Sequence, residues 1–125
     1  MSKTRDDFNF QFKDEIAFER RAIESEKIRL KYDGRIPVII EKSSTDQVLC
    51  DLEQTKFLIP GDFTFQQFQM VIRKRLQLPK THSLYIFFHN NKLHANEKSL
   101  SQIYSECKDH DGFLYCKYAS ENFTG

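Results

Sequence analysis

The side chains with the greatest chemical reactivity in this sequence are three cysteines and four histidines. A thiol beside an imidazole can be activated as a nucleophile, so Cys107 with His110 and Cys116 with His89 are the pairs to consider. Cys107 completes the apolar stripe of a predicted helix, and Cys116 lies in a predicted strand, where a small buried thiol is ordinary. All four histidines stand in polar stretches typical of solvated loops. These patterns favour a protein that is not an enzyme.

Other kinds of chemical site are not indicated either. The cysteines are odd in number and lack a Cys-x-x-Cys spacing, which argues against a zinc site or a disulfide framework and favours a reducing compartment. There is no glycine-rich phosphate loop, and we expect no metal and no cofactor. The net charge is +1, so the basic triplet at 73–75 is more typical of a solvated or protein-docking helix face than of a nucleic-acid or tubulin-binding module.

Membrane insertion through the chain itself is not expected. The longest apolar runs, 36–40 and 84–88, span five residues, whereas a membrane-spanning helix needs about 20. The first residues lack the apolar core of a signal peptide, and neither a myristoylation glycine at position 2 nor a prenylation cysteine is present. Any attachment to a membrane would need different chemistry.

The elements that must position these residues follow from helix formers, turn residues and apolar spacing. Residues 13–31 contain no proline or glycine, and their two apolar stripes predict two short helices ended near Gly34. A capping box at Thr64 and Gln67 predicts the start of a third helix. This third helix is predicted to end at about residue 77, and a fourth helix is predicted at 100–107. Strands are predicted at 35–42, 55–59, 84–88 and 112–118.

The order of elements after the first two helices is β-β-α-β-α-β. A hairpin, a crossing helix and two further strands give the β-grasp arrangement of ubiquitin, an α+β fold whose four-stranded mixed sheet pairs its first and last strands in parallel. We expect one domain at 12–118, including the N-terminal helical extension. Residues 1–11 are predicted to form a flexible arm, and residues 119–125 a mobile tail.

Five collinear segments resemble the autophagy ubiquitin-like modifiers, the family of GABARAP and microtubule-associated protein light chain 3. They read FERR, RIPVIIEK, KFLIP, IRKR and KDHDGFLY, at 18–21, 35–42, 56–60, 72–75 and 108–115. The resemblance covers the chain from about residue 12 to its end. Departures at Ile16-Ala17 and Leu93-His94, where the family commonly has prolines, indicate a divergent member.

The resemblance implies conjugation of the C-terminal Gly125 to phosphatidylethanolamine. An activating and a conjugating enzyme would carry this glycine as a thioester, and a cysteine protease would process or release the protein. Glycine suits this chemistry because it lacks a Cβ and passes through a narrow channel. The family's role further implies autophagosome formation, with a monomer in the cytoplasm before conjugation and at the autophagosomal membrane afterwards. The alternative is an unconjugated β-grasp interaction module, such as a trafficking or cytoskeleton adaptor.

The resemblance also implies docking of cargo receptors through aromatic-x-x-aliphatic peptides at the edge of the second strand. The first pocket would be formed by Glu24, Ile28, Pro37, Ile39, Lys56, Leu58 and Phe113. The second pocket would be formed by Phe57, Ile59, Pro60, Phe63, Phe68 and Val71. Arg35, Arg73 and Arg75 would attract acidic residues of the peptide, while Gln54 replaces a lysine found in many relatives. Without the resemblance, Ile39, Leu58 and Phe68 would be assigned to the core.

Overall fold

The computed structural model describes residues 9–88 and 94–121. Phe8, His89, Leu93 and Gly125 are among the positions outside the described residues. The elements are helices α1 (Gln11–Glu15) and α2 (Phe18–Lys31), strands β1 (Arg35–Lys42) and β2 (Lys56–Pro60), helix α3 (Phe65–Leu76), strand β3 (Tyr85–Phe88), helix α4 (Leu100–Cys107) and strand β4 (Leu114–Ala119).

The sheet has the order β2-β1-β4-β3. β1 pairs with β4 in parallel and with β2 antiparallel, while β3 pairs antiparallel with β4. β1 is central because the β-branched Val38, Ile39 and Ile40 bury both of its faces. The predicted β-grasp topology is therefore confirmed, and β2 and β3 form the two edges.

The helices begin and end where local signals place them. The hydroxyl of Thr64 accepts a hydrogen bond from the Gln67 backbone N–H at 3.1 Å, and the Gln67 side chain accepts one from the Thr64 N–H at 2.8 Å. This confirms the predicted capping box. α3 ends before Gln77, whose φ of +56° is left-handed. β4 begins two residues later than predicted, because Gly112 has a φ of +93° and lies in the preceding turn.

The two faces of the sheet bury different clusters. α3 and α4 cover one face, where Phe68, Ile72 and Leu100 belong to the main core. The N-terminal segment covers the other face through a smaller cluster of Phe10, Ile39, Phe113 and Tyr115, with Phe12 and Ile28 packed against it. The sheet edge at β2 therefore lies between two different apolar surfaces.

The predicted boundaries need correction at both ends of the domain. Phe10 was assigned to the flexible arm, but it is only 2% exposed and packs edge-on against Tyr115, with 4.9 Å between the ring centroids. Gln11, also assigned to the arm, begins α1. Ala119 was assigned to the mobile tail, but it is buried at the end of β4. The domain includes more residues at both ends than predicted, because the apolar side chains of Phe10 and Ala119 are buried.

Candidate functional site: the edge of β2 and its two pockets

β2 is an edge strand of the sheet. It pairs with β1, and no other described strand lies on its outer side. The Thr55 carbonyl accepts a hydrogen bond from the Ile40 N–H at 2.9 Å. Because alternate residues of an antiparallel strand direct their N–H and C=O groups to opposite sides, Lys56 and Leu58 direct theirs away from β1. These two residues can pair with an added strand.

Two side chains of the same chain contact this edge. The Gln54 side-chain Nε2 donates to the Lys56 carbonyl at 2.7 Å, and the Arg35 Nη1 donates to the Leu58 carbonyl at 3.1 Å. The Gln54 Oε1 in turn accepts a hydrogen bond from the Arg75 Nη1 at 3.0 Å. Both outward carbonyls thus have a side-chain donor.

The residues assigned to the first pocket come together between β2 and α2. Ile39, Pro37 and Phe113 are buried and can form only its floor, while the half-buried Ile28 packs against the same cluster. Leu58 is half-buried at the β2 edge. On the same side of the sheet edge, the Lys56 ammonium forms an ion pair with the Glu24 carboxylate.

Phe12 is an additional wall residue that the sequence analysis did not assign to this pocket. Its ring packs edge-on against Phe113, with the centroids 5.2 Å apart. The Lys56 Nζ lies 5.7 Å from the centroid of the same ring. Phenylalanines alternate at positions 8, 10 and 12 of the sequence, but this spacing does not show which ring meets Lys56.

The residues assigned to the second pocket come together on the opposite face, between β2 and α3. Phe57, Ile59 and Phe68 are buried and belong to the main core, so they too can form only a floor. Pro60, Phe63 and Val71 are half-buried and make the accessible rim. Next to this rim lies a shallow groove of ≈ 750 Å³, lined by Phe63, Gln67, Met70, Val71, Arg73, Lys74, Gln77 and Leu78.

The three arginines assigned to peptide docking have different positions. Arg35 and Arg75 lie at the β2 edge through the hydrogen bonds described above, and the Arg75 guanidinium lies 5.3 Å from the centroid of the Phe57 ring. Arg73 instead donates from Nη2 to the carbonyls of Pro79 and His82, at 2.9 and 2.8 Å. These two hydrogen bonds connect the end of α3 to the following loop.

A buried polar network that the sequence did not reveal positions Phe113, a floor residue of the first pocket. Asp111, which is 1% exposed, accepts hydrogen bonds from the Arg21 Nε at 2.8 Å, the Tyr115 hydroxyl at 2.5 Å and the Phe113 N–H at 2.9 Å. The Arg21 Nη1 also donates to the Ile16 carbonyl at 2.7 Å. The network joins α2 to the turn before β4, and thereby to the Phe113 floor.

The network raises the pKa of both Arg21 and Tyr115. Burial lowers the pKa of Arg21, but the hydrogen bond and the negative charge of Asp111 outweigh it, so the pKa is raised. The pKa of Tyr115 is raised by burial and by its hydrogen bond to Asp111. Arg21 and Asp111 both lie in the segments that carry the family resemblance, but no local pattern pairs residues so far apart in sequence.

A second unpredicted contact joins Ser120, which directly follows β4, to the loop after β1. The nearly buried Asp46 accepts hydrogen bonds from the Ser120 N–H at 2.5 Å and from the Ser120 hydroxyl at 2.6 Å. Its other oxygen accepts from the N–H groups of Val48 and Leu49. Burial raises the pKa of Asp46, but these hydrogen bonds outweigh it and lower the pKa. Ser120 is five residues from Gly125.

The thiol and imidazole groups form no exposed catalytic pair in the described part of the chain. The Cys107 Sγ lies 3.9 Å from the Nε2 of His94, a different histidine from the one considered above. The expectation that His94 is solvated is wrong, because it is buried against the rings of Phe65 and Phe88. Cys116 is fully buried, and burial raises the pKa of its thiol, which disfavours the nucleophilic thiolate.

Comparison with known proteins extends the local evidence to nearly the whole chain. The family described as autophagy protein Atg8, ubiquitin-like, matches residues 20–125. The Autophagy-related protein 8 of Kluyveromyces lactis is 46% identical over 114 residues, which cover 91% of this chain and 90% of the relative. The protein of the same name from Candida glabrata is 45% identical over 114 residues, covering 91% of this chain and 95% of the relative.

A solved structure gives the same result for the fold. The crystal structure of Trypanosoma brucei ATG8 superimposes with a TM-score of 0.84 at 36% sequence identity, covering 91% of this chain and 97% of the other. Among residues 9–88 and 94–121, no helix combines the length and the apolar character needed to cross a bilayer. The sequence matches, the shared fold and the collinear segments lead to one conclusion: the chain belongs to the Atg8 family of ubiquitin-like autophagy proteins.

Proposed function

We propose that this chain is conjugated through Gly125 to phosphatidylethanolamine and that the conjugate acts at the autophagosomal membrane. The observation that supports this most is the family match, which extends to residue 125 itself. ATP would convert the Gly125 carboxylate into an acyl adenylate with release of pyrophosphate, an enzyme thiol would displace AMP to form a thioester, and the lipid amine would displace the thiol to form an amide. The activating and conjugating enzymes would supply this catalysis, and a cysteine protease would hydrolyse the amide to release the chain from the lipid.

The test is reconstituted conjugation with the activating enzyme, the conjugating enzyme, ATP and liposomes containing phosphatidylethanolamine. We expect the chain to form a lipid adduct, visible by mass spectrometry, and Gly125→Ala to lose most of it. A reaction without ATP is the control for adenylation, and the Kluyveromyces lactis relative is the control for active enzymes. Equal adduct from both variants, or no adduct from this chain while the relative reacts, would contradict the proposal.

The second part of the proposal is that the β2 edge docks aromatic-x-x-aliphatic peptides of cargo receptors. Lys56 and Leu58 offer backbone groups to an added strand. In an extended peptide, residues three apart point to opposite faces, and the two pockets lie on opposite faces of the sheet edge. The aromatic side chain would therefore enter between β2 and α2, and the aliphatic one between β2 and α3. Because the contact is small, we expect a Kd of about 1 μM to 100 μM.

Two substitutions at one position separate the backbone contribution from the side-chain contribution. Leu58→Ala trims the pocket but keeps the N–H group, whereas Leu58→Pro also removes that donor. Proline is tolerated on an edge strand when its nitrogen faces solvent. We expect Leu58→Pro to bind the peptide at least about tenfold more weakly than Leu58→Ala in calorimetry. Circular dichroism melting would confirm that both variants fold, and equal affinity of the two would contradict strand addition.

The unconjugated adaptor is the second candidate function. It shares the β2 edge and the pockets with the first, so peptide binding does not distinguish the two. Peptide binding without lipid conjugation, in the presence of active enzymes, would favour the adaptor.

A further inference from the structure

A line of polar side chains joins α4 to the loop before it. The Lys98 ammonium lies 2.6 Å from the Glu106 carboxylate and 3.3 Å from the Nδ1 of His94. The Nε2 of the same imidazole lies 3.9 Å from the Cys107 Sγ, which is within hydrogen-bond distance for sulfur. Four side chains therefore form a continuous series of contacts that runs from a carboxylate to a thiol.

The ion pair determines which nitrogen of the imidazole carries the proton. An ammonium has three donors and no acceptor, and the contact with Glu106 favours the charged form of Lys98. The Nδ1 of His94 must therefore accept the hydrogen bond from Lys98, because a proton on Nδ1 would place two donors against each other. A neutral imidazole then carries its proton on Nε2, and this N–H donates to the sulfur of Cys107.

We infer that Cys107 is a reactive thiol that is modified by small disulfides such as oxidised glutathione, and that His94 and Lys98 are the residues that activate it. A sulfur that accepts a hydrogen bond beside a positive charge is stabilised as the thiolate, which is the nucleophilic form. Cys107 is the last residue of α4 and is half-buried rather than enclosed. The inference does not depend on lipid conjugation or on peptide docking.

The reaction with oxidised glutathione is a thiol–disulfide exchange. The Cys107 thiolate attacks one sulfur of the glutathione disulfide, so that an S–S bond to the protein forms while the S–S bond of glutathione breaks. The second glutathione leaves as a thiolate and takes up from water the proton that Cys107 has lost. The protein thiol is oxidised and one glutathione is reduced, so the disulfide is the only oxidant needed.

The other two cysteines provide a comparison within the same molecule. Cys50 is exposed, and no described side chain donates a hydrogen bond to its sulfur, whereas Cys116 is buried. If exposure alone determined reactivity, Cys50 would react before Cys107. The contacts with His94 and Lys98 predict the opposite order for these two thiols.

The experiment incubates the full chain with oxidised glutathione at about pH 7 and measures mixed-disulfide formation at each cysteine by peptide mass spectrometry. The measured quantity is the rate ratio, which is the rate constant of Cys107 divided by that of Cys50. A hydrogen bond to a charged acceptor favours the thiolate by about 10–100-fold. Because a stabilised thiolate is also a weaker nucleophile, the rate rises only by about the square root of this factor. We therefore expect a rate ratio of about 3–10.

Four variants test the two activating residues. His94→Leu removes the donor and should lower the rate ratio by about 3–10-fold, whereas His94→Gln should retain most of it, because its amide also accepts and donates. Lys98→Met should lower the ratio at least about twofold. Lys108→Met is the matched control, because it also removes one positive charge near Cys107, but its ammonium lies 5.5 Å from the centroid of the Tyr104 ring.

A rate ratio of one or less in the wild-type chain would overturn the inference, because exposure would then account for the reactivity. A high ratio that His94→Leu leaves unchanged would overturn the assignment of His94. Equal slowing by Lys98→Met and Lys108→Met would show that the general positive charge, rather than the directed hydrogen bonds, activates the thiol. Circular dichroism melting would verify that each variant folds, and if His94→Leu does not, the comparison of the two lysine variants decides the outcome.

Discussion

Asp111→Ala tests whether the buried network attaches α2 to the ubiquitin-like sheet. The carboxylate accepts hydrogen bonds from the Arg21 Nε, the Tyr115 hydroxyl and the Phe113 N–H. Arg21 is 8% exposed, so removal of its partner leaves a guanidinium that water reaches poorly. Breaking such a buried pair costs about 3–5 kcal/mol. We expect a loss near the lower value, because the Arg21 Nη1 keeps its hydrogen bond to the Ile16 carbonyl.

A double-mutant cycle separates the pair from its surroundings. Arg21→Met keeps much of the side-chain volume without the charge, and Asp111→Asn keeps the shape of the carboxylate. If the pair acts as a unit, the double variant should be at least about 1 kcal/mol more stable than the sum of the two single losses predicts. The free energy of unfolding would be measured in urea by far-ultraviolet circular dichroism, because the chain contains no tryptophan.

Hydrogen exchange shows where the stability is lost. If the network attaches α2, Asp111→Ala should accelerate exchange of the amides in α2 more than that of the amides in β1. Additivity of the single losses within about 0.5 kcal/mol would refute the coupling between Arg21 and Asp111. Equal acceleration in α2 and β1 would show that the network supports the whole domain rather than the attachment of one helix.

Three further predictions concern the ends of the domain and its titrating groups. Phe10→Ala should lower the free energy of unfolding by about 3 kcal/mol, because its ring is buried, whereas Phe18→Ala, with a 44% exposed ring, should cost less in the same urea assay. The pKa of Asp46 is lowered in the fold, so its charge stabilises the protein above the ordinary value of about 3.9. Asp46→Asn should therefore be less stable than the wild-type chain at about pH 7, and the difference in urea midpoint should vanish as the pH falls through the lowered pKa; a difference that persists in acid would contradict this. Burial raises the pKa of Tyr115 and Tyr118, so the stability that depends on their neutral phenols is present below about pH 10 and is lost above it. Part of the tyrosinate absorbance should appear only as the chain unfolds, and full ionisation in the folded chain would be the contrary result.

Local signals were sufficient to predict the order of the elements. The capping box at Thr64 and the β-branched run of β1 act over a few residues, and the fold preserves both. β2 is displaced by one residue from its predicted position, since Thr55 pairs with β1 but lies before the strand's first residue. The ends of a strand depend on which backbone groups form hydrogen bonds with the neighbouring strand. A single sequence does not identify these hydrogen-bond partners.

The contacts that could not be predicted from the sequence are those between segments far apart in the chain. Phe10 is followed by polar and helical residues that give no indication of burial, and its partner Tyr115 belongs to the last strand. Asp46 and Ser120 are also remote from each other in the sequence. A polar tail and a polar loop both predict solvent exposure when each is considered alone. Only the parallel pairing of β1 with β4 brings the end of β4 beside the loop that follows β1.

The basic triplet at 73–75 shows how the same limit affects the site. Considered as one charged group, it predicts a docking surface to which Arg73 and Arg75 contribute alike. Residues two apart on a helix do not face the same side, and the structure directs Arg75 to the β2 edge and Arg73 to the loop after α3. Arg73→Ala should therefore weaken the attachment of the loop after α3 and leave peptide binding unchanged. In the proposed peptide docking, an acidic flank would then engage Arg35 and Arg75, the two arginines that participate in the hydrogen bonds at the edge.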